Sequence, residues 1–166
     1  LVTTRQIGHV FTLAGMAIAP DGSLFIAGSR LNSATGMTKV ELIHLTADGA
    51  FDMDFGNAGV ASYSVPNYSS FRAMTVQPDG KVLVAGSSGQ GIIILRVQPD
   101  GQIDHAFAEN GVGHYTKPGS LVRPNSVRVG ANGGIHVVGY LSSGMDATGL
   151  MACKVKSDGL LDTQYA

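Results

Sequence analysis

Apolar residues recur along this chain in short runs, each closed by a turn signal, and nowhere hold a 3.6-residue period long enough for a packed helix. One run is written three times: Leu24-Phe25-Ile26-Ala27-Gly28, Val82-Leu83-Val84-Ala85-Gly86 and Ile135-His136-Val137-Val138-Gly139. Each copy follows a turn, Pro20-Asp21-Gly22, Pro78-Asp79-Gly80 or Ala131-Asn132-Gly133, and each turn follows another short apolar strand. Proline presets φ, the Asp or Asn side chain bonds back to the backbone, and glycine takes the left-handed conformation that returns the chain. Each copy therefore predicts a β-hairpin, with strands at 73–76 and 81–85 in the middle repeat.

Beyond each hairpin the pattern continues in phase. Residues 86–91 read as a loop, and Ile92-Ile93-Ile94-Leu95 is apolar without alternation, which predicts a strand covered on both faces. A second turn follows, Ala47-Asp48-Gly49, Pro99-Asp100-Gly101 or Ser157-Asp158-Gly159. It leads to an Asp with an aromatic three residues on: Asp52 and Phe55, Asp104 and Phe107, Asp162 and Tyr165. Equivalent glycines lie 58 and 53 residues apart in the first series and 52 and 58 in the second, a repeat with loops of variable length. Residues 111–116 supply a weaker fourth strand. The prediction is an all-β, β-propeller-like array of three four-stranded antiparallel blades in a single domain, over about 1–55, 56–111 and 112–166.

The string Ala73-Met74-Thr75-Val76-Gln77-Pro78-Asp79-Gly80-Lys81-Val82-Leu83-Val84-Ala85-Gly86 resembles the delta-60 repeat of bacterial proteins. So does the continuation Leu95-Arg96-Val97-Gln98-Pro99-Asp100-Gly101-Gln102-Ile103-Asp104 with Phe107. That unit runs close to AVAVQPDGKILVAG, then an ARY-type strand, then DGSLDTSFGTGGVV. The resemblance covers essentially the whole chain in three copies. The second is closest, and the third departs at 130–134, where Pro-Asp-Gly has become Ala-Asn-Gly. It implies propeller-like blades in large exported or surface-attached proteins and brings no catalytic residues.

Composition narrows the function classes. With 23 glycines, 14% charged and 44% hydrophobic residues, the chain has the make-up of short strands joined by tight turns rather than of disorder. The formal net charge is −1, from 11 basic and 12 acidic residues without a basic run, so nucleic acid is not an expected partner. No stretch reaches the roughly 20 apolar residues of a membrane span, and no signal peptide opens the chain. Abundant Gly, Ser, Thr and Asn point to a secreted or cell-surface location. Cys153, the single cysteine, excludes an internal disulfide, and its apolar run predicts a buried, inert thiol.

The two ends read as complementary halves of one junction. Leu1-Val2-Thr3-Thr4 matches the strand that follows the Asp-aromatic segment, and Leu161 to Ala166 supplies the part that precedes it. In a propeller such a split lets an N-terminal strand complete the last blade. Three blades are too few for a ring, so a homodimer of six blades is expected, the Leu1 strand of one chain completing the last blade of the other. The alternative is a piece cut from a longer array.

Candidate residues fall into two groups. His44, Arg96 and Lys154 occupy one repeat position, each eight residues before Asp52, Asp104 or Asp162. A charge-assisted bond fastening the third strand to the following turn explains them; an anion-binding ring of three basic groups is the functional alternative. The persistent sign with its accompanying Asp favours the structural role. The second group is where the third copy breaks the pattern. His136 takes the slot of Phe25 and Leu83, Arg128 stands where Ala17 and Thr75 stand, and Asn125 precedes it. A polar group in a core slot costs stability unless bonded, so these three are either satisfied by neighbours or contact a ligand near the axis. Tyr63 and Tyr115 are repeat-equivalent and expected to pack between blades, whereas Tyr68 and Tyr140 are free as loop contacts for a sugar ring.

No cofactor or metal is expected. The five histidines lack close ligand spacing, and Asp52-Met53-Asp54 lacks the later Glu of a calcium loop. Gly86-Ser87-Ser88-Gly89-Gln90-Gly91 has neither the lysine and helix of a phosphate cradle nor a nucleophile elbow. The leading expectation is a non-enzymatic extracellular or surface binding and adhesion module, with glycan or surface ligand as partner and variable loops as recognition elements. The alternatives are an enzyme using Arg128 and His136 in a central channel, and a structural spacer.

Overall fold

The computed structural model describes residues 12–65, 70–89, 91–116, 121–143 and 146–165. Every regular element among them is a β-strand, and three antiparallel sheets follow one another along the chain. The first is the meander β1 (Thr12–Ile18), β2 (Leu24–Asn32), β3 (Met37–Leu45) and β4 (Val60–Val65). The second repeats it with β5 (Ser70–Val76), β6 (Val82–Ser88), β7 (Gly91–Val97) and β8 (Val112–Thr116). In the third, β9 (Leu121–Val129), β10 (Ile135–Ser143) and β11 (Asp146–Val155) form three strands. The expected completion of this sheet by a strand from Leu1 lies outside the described residues. The fourth strand of each complete sheet comes after its Asp-aromatic turn, so sheet boundaries fall one strand later than the repeat boundaries at 55 and 111.

The six Asp-Gly and Asn-Gly turns form as their residues require. Gly22, Gly80 and Gly133 have φ of 85°, 81° and 76°, and Gly49, Gly101 and Gly159 have 86°, 88° and 92°. The drift of Asp to Asn in the third copy is tolerated because the back-bond survives. The Gly134 amide donates to Asn132 Oδ1 at 3.1 Å, as the Ser23 amide does to Asp21 Oδ1 at 2.9 Å.

Residues 86–91 are not the loop expected from their Gly and Ser content. β6 runs through Ser88 and pairs Ser87 with Ile92 and Ser88 with Gly91, leaving only a two-residue tip. The reason lies across the sheet. The first strand of every sheet carries a β-bulge, at Ala14, Arg72 and Asn125, where the register slips by one residue. Gly28, Gly86 and Gly139 sit opposite. A Cβ at Gly86 would lie 2.3 Å from the Ser70 carbonyl oxygen, and one at Gly139 would lie 2.1 Å from that of Arg123. Gly86 and Gly139 thus make room for a bulge and do not end their strands.

The sheets stack face to face, with successive first strands β1, β5 and β9 adjacent. Phe25, Ala27, Val40 and Leu42 of the first sheet share a core with Met74, Val82, Val84 and Ile93 of the second. Leu83, Ala85, Ile92 and Ile94 on the opposite face of the second sheet pack against Val127, Ile135 and Val137 of the third. β7 is therefore buried along its whole length, as its unbroken apolar run predicts. Each fully buried Ile or Leu in such a layer contributes about 1.5–3 kcal/mol.

Candidate functional site

The repeated basic residue and its Asp meet in all three sheets. Arg96 Nε donates to Asp104 Oδ2 at 2.7 Å, with both side chains almost wholly buried. Lys154 Nζ lies 3.0 Å from Asp162 Oδ2, and His44 Nδ1 lies 2.8 Å from Asp52 Oδ2, nearer the surface. An aromatic closes each cluster. Arg96 stacks over Phe107 at 4.4 Å, Lys154 approaches Tyr165 at 5.9 Å, and His44 stacks on Phe25 at 3.9 Å with Phe55 at its edge. The Lys154 hydrogen bond, with weaker help from other groups, holds the Asp162 carboxyl below its usual range. These pairs tie the third strand of each sheet to the turn that follows it, as the spacing of eight predicts.

His44 also reaches Ser23, Nε2 to Oγ at 2.9 Å, so that Asp52, His44 and Ser23 stand in the order of a hydrolytic triad. The chemistry is not completed. The Ser23 hydroxyl donates to Asp21 Oδ1 at 2.7 Å, and that bond is the chief cause holding the Asp21 carboxyl below its usual value. A nucleophile beside a fixed carboxylate is poorly placed to stabilise a developing oxyanion. His44 Nδ1 approaches Asp52 Oδ2 at 2.8 Å without the alignment of a hydrogen bond, which the orienting carboxylate of a triad requires. Ser23 was not singled out by sequence, because its meeting with His44 depends on the pairing of β2 with β3.

The residues where the third copy departs from the repeat gather on one sheet. His136 on β10 is directly opposite Arg128 on β9 and Lys154 on β11, giving a basic row across the sheet. Arg128 is exposed, and its Nη1 donates to the Val127 carbonyl at 2.8 Å. His136 meets the Tyr165 ring edge-on at 5.7 Å, so its imidazole takes the aromatic role that Phe25 plays beside Phe55 in the first sheet. Asn125 is exposed at the bulge of β9. With Val138, Tyr140, Leu150 and Ala152 it lines a shallow groove of about 520 Å³. Arg128, His136, Asn125 and Tyr140 are thus brought to one sheet, while Tyr68 lies outside the described residues.

The junctions between sheets use devices that sequence only half discloses. Tyr63 Oη donates to the Gly101 carbonyl and Tyr115 Oη to the Gly159 carbonyl, both at 2.7 Å, which gives the repeat-equivalent tyrosines their bridging role. Burial raises both phenols far above their usual pKa. Alongside, the Gly56 amide donates to the Asp100 carbonyl at 3.0 Å and the Ala108 amide to the Asp158 carbonyl at 2.8 Å. Arg96 adds Nη1 to the Ser157 carbonyl at 2.6 Å. Cys153 is half-buried on β11, and burial pushes its thiol up to about 11.

A family model described as a domain of unknown function (DUF5122) beta-propeller matches residues 77–107. That stretch holds the first hairpin turn, β6, β7, the Arg96–Asp104 pair and Phe107. The fold is that of β-propeller blades. Among solved structures, a protein of unknown function from Bacteroides caccae is similar at 11% identity, covering 95% of this chain and 82% of that one, with a TM-score of 0.42. No curated protein matches the chain.

Proposed function

We propose that this chain is a non-enzymatic binding module of an extracellular or cell-surface protein, with carbohydrate as its ligand class. One observation carries the reading. The six turns of like conformation, 20–22, 78–80 and 131–133 with 47–49, 99–101 and 157–159, share the rim where sheets are bonded to one another. The connections between second and third strands, which differ in sequence between copies, leave the sheets at the opposite ends of the strands. In the first sheet this tip is Ser33-Ala34-Thr35-Gly36, exposed at 33–35 and pinned by the Ala34 amide bond to Asn32 Oδ1 at 3.1 Å. A rigid scaffold with a uniform rim and a variable rim is the arrangement that serves recognition by loops. Resemblance of the repeat to the delta-60 unit of exported bacterial proteins supports the location.

A glycan array probed with the purified chain tests the ligand class. Replacement of 33–36 by a two-residue turn like that of the second sheet is expected to abolish or redirect binding without changing the melting temperature. An array with no binding at any concentration overturns the carbohydrate reading.

A further inference from the structure

Among the described residues the same sheet-to-sheet junction is made twice, between the first and second sheets and between the second and third. On the third sheet, the face corresponding to those that Phe25 and Leu83 bury is open among the described residues. Val138 is 47% exposed and Leu150 92%, whereas Ala85 and Ile92 at the same repeat positions of the second sheet are 0% and 5% exposed. On the first sheet, the face corresponding to that of Met74 is open in turn. Leu13 is 63% and Met16 59% exposed, against 0% for Phe71 and 5% for Met74. The receiving turn is open too. A Cβ on Gly101 or Gly159 would meet the Gly56 amide nitrogen at 2.9 Å or that of Ala108 at 2.5 Å, but on Gly49, with the same φ, it meets nothing within 4 Å among the described residues.

We propose that a second copy of this chain covers both faces. The third sheet of each copy packs on the first sheet of the other, so that two chains related by a two-fold close into six blades. The interface is continuous in kind with the junctions already in the chain. Two identical head-to-tail contacts satisfy a two-fold, and six blades fall within the range in which propellers close. Charge supports the register. Inside the chain, His44 lines a crevice with Pro78 and Gly80 of the next first turn, and Arg96 lines one with Ala131, Gly133 and Ser157. By the same geometry the row of Arg128, His136 and Lys154 faces the first and second turns of the partner copy, which carry Asp21 and Asp48. Arg128 and His136, two departures of the third repeat from its own pattern, then form with Lys154 a basic edge that meets two carboxylates, around an apolar centre of Leu13, Met16, Val138 and Leu150.

Light scattering on the eluting 166-residue chain at micromolar concentration is expected to give twice the chain mass of 17.1 kDa. Met16→Glu and Leu150→Glu, both at exposed positions, are each expected to halve it while leaving the far-ultraviolet circular dichroism unchanged. Leu13→Glu and Val138→Lys replace any variant that does not fold. An equimolar mixture of Met16→Glu with Leu150→Glu is expected to recover a dimer, because one of its two junctions then joins two unaltered faces. A monomeric parent chain overturns the proposal, as does a dimer that survives Met16→Glu or a mixture that stays monomeric. A fibre or a larger ring overturns closure by two copies.

Discussion

Replacing Asp104 by alanine removes the partner of the most deeply buried lysine or arginine among the described residues. Arg96 and Asp104 side chains are 9% and 3% exposed, and their 2.7 Å bond joins β7 to the turn before Phe107. An arginine left unpaired in such a site costs about 3–5 kcal/mol, because its desolvation is no longer offset. The substitution also loses the Ala106 amide bond to Asp104 Oδ1 at 3.2 Å, worth about 1 kcal/mol net. The retained bond from Arg96 to the Ser157 carbonyl and the stack on Phe107 hold the guanidinium in place and reduce the loss, so about 4 kcal/mol is expected in total. For a chain of this size that lowers Tm by roughly 8–16 °C. Urea denaturation at fixed protein concentration reads the same quantity as a fall in midpoint with unchanged slope. Asp162→Ala is expected to cost clearly less, because its pair with Lys154 is more open to solvent. The double substitution Arg96→Met with Asp104→Leu is expected to regain most of the loss, since it removes the buried charge instead of orphaning it. A drop for Asp104→Ala no larger than that for Asp162→Ala would refute the idea that the pair fastens strand to turn.

Three further outcomes are expected. Gly86→Ala and Gly139→Ala place a Cβ within 2.3 and 2.1 Å of backbone oxygen and should each cost more than the roughly 1 kcal/mol of an ordinary strained glycine replacement, read by thermal melting; a neutral result would mean the bulges shift freely. Cys153, with its thiol at about 11 against a usual 9.0, carries roughly 100-fold less thiolate at neutral pH, so iodoacetamide should alkylate the native chain far more slowly than the urea-unfolded chain. The Asp162 carboxyl titrates below the usual 3.8, so its contribution to stability is present above that pH and lost as pH falls through the lowered native value; carboxyl carbon NMR on Lys154→Met should show the titration moving back up toward 3.8.

What was legible in the sequence was mostly what neighbours along the chain decide. A Pro-Asp-Gly turn is set by its own φ preferences, and a basic residue eight positions before an Asp spans one turn, so both could be read without knowing the sheet order. The equivalence of Tyr63 and Tyr115 was also visible, but not that each hydroxyl reaches the carbonyl of a glycine in the next sheet. Gly86 to Ser88 read as loop because glycine and serine normally signal one, whereas Gly86 is held inside a strand by a bulge on its partner. By sequence His136 stands in a core slot, where it is either satisfied by a neighbour or in contact with a ligand. Its slot becomes a core slot only if another sheet covers it, and within the described chain it is the edge of the stack, with Tyr165 as its aromatic neighbour.

The sequence by itself determined a threefold all-β repeat, its turns, its buried third strand and its strand-to-turn ion pairs, because each depends on local conformation and on period. Only the tertiary structure decided which face of each sheet meets the next, where the bulges re-aim side chains, and that Leu13, Met16, Val138 and Leu150 stand exposed on the outer faces of the first and third sheets. Those outcomes depend on how twisted sheets stack and on which backbone carbonyls come within reach across them, contacts between residues roughly 40 to 60 positions apart that no local pattern records.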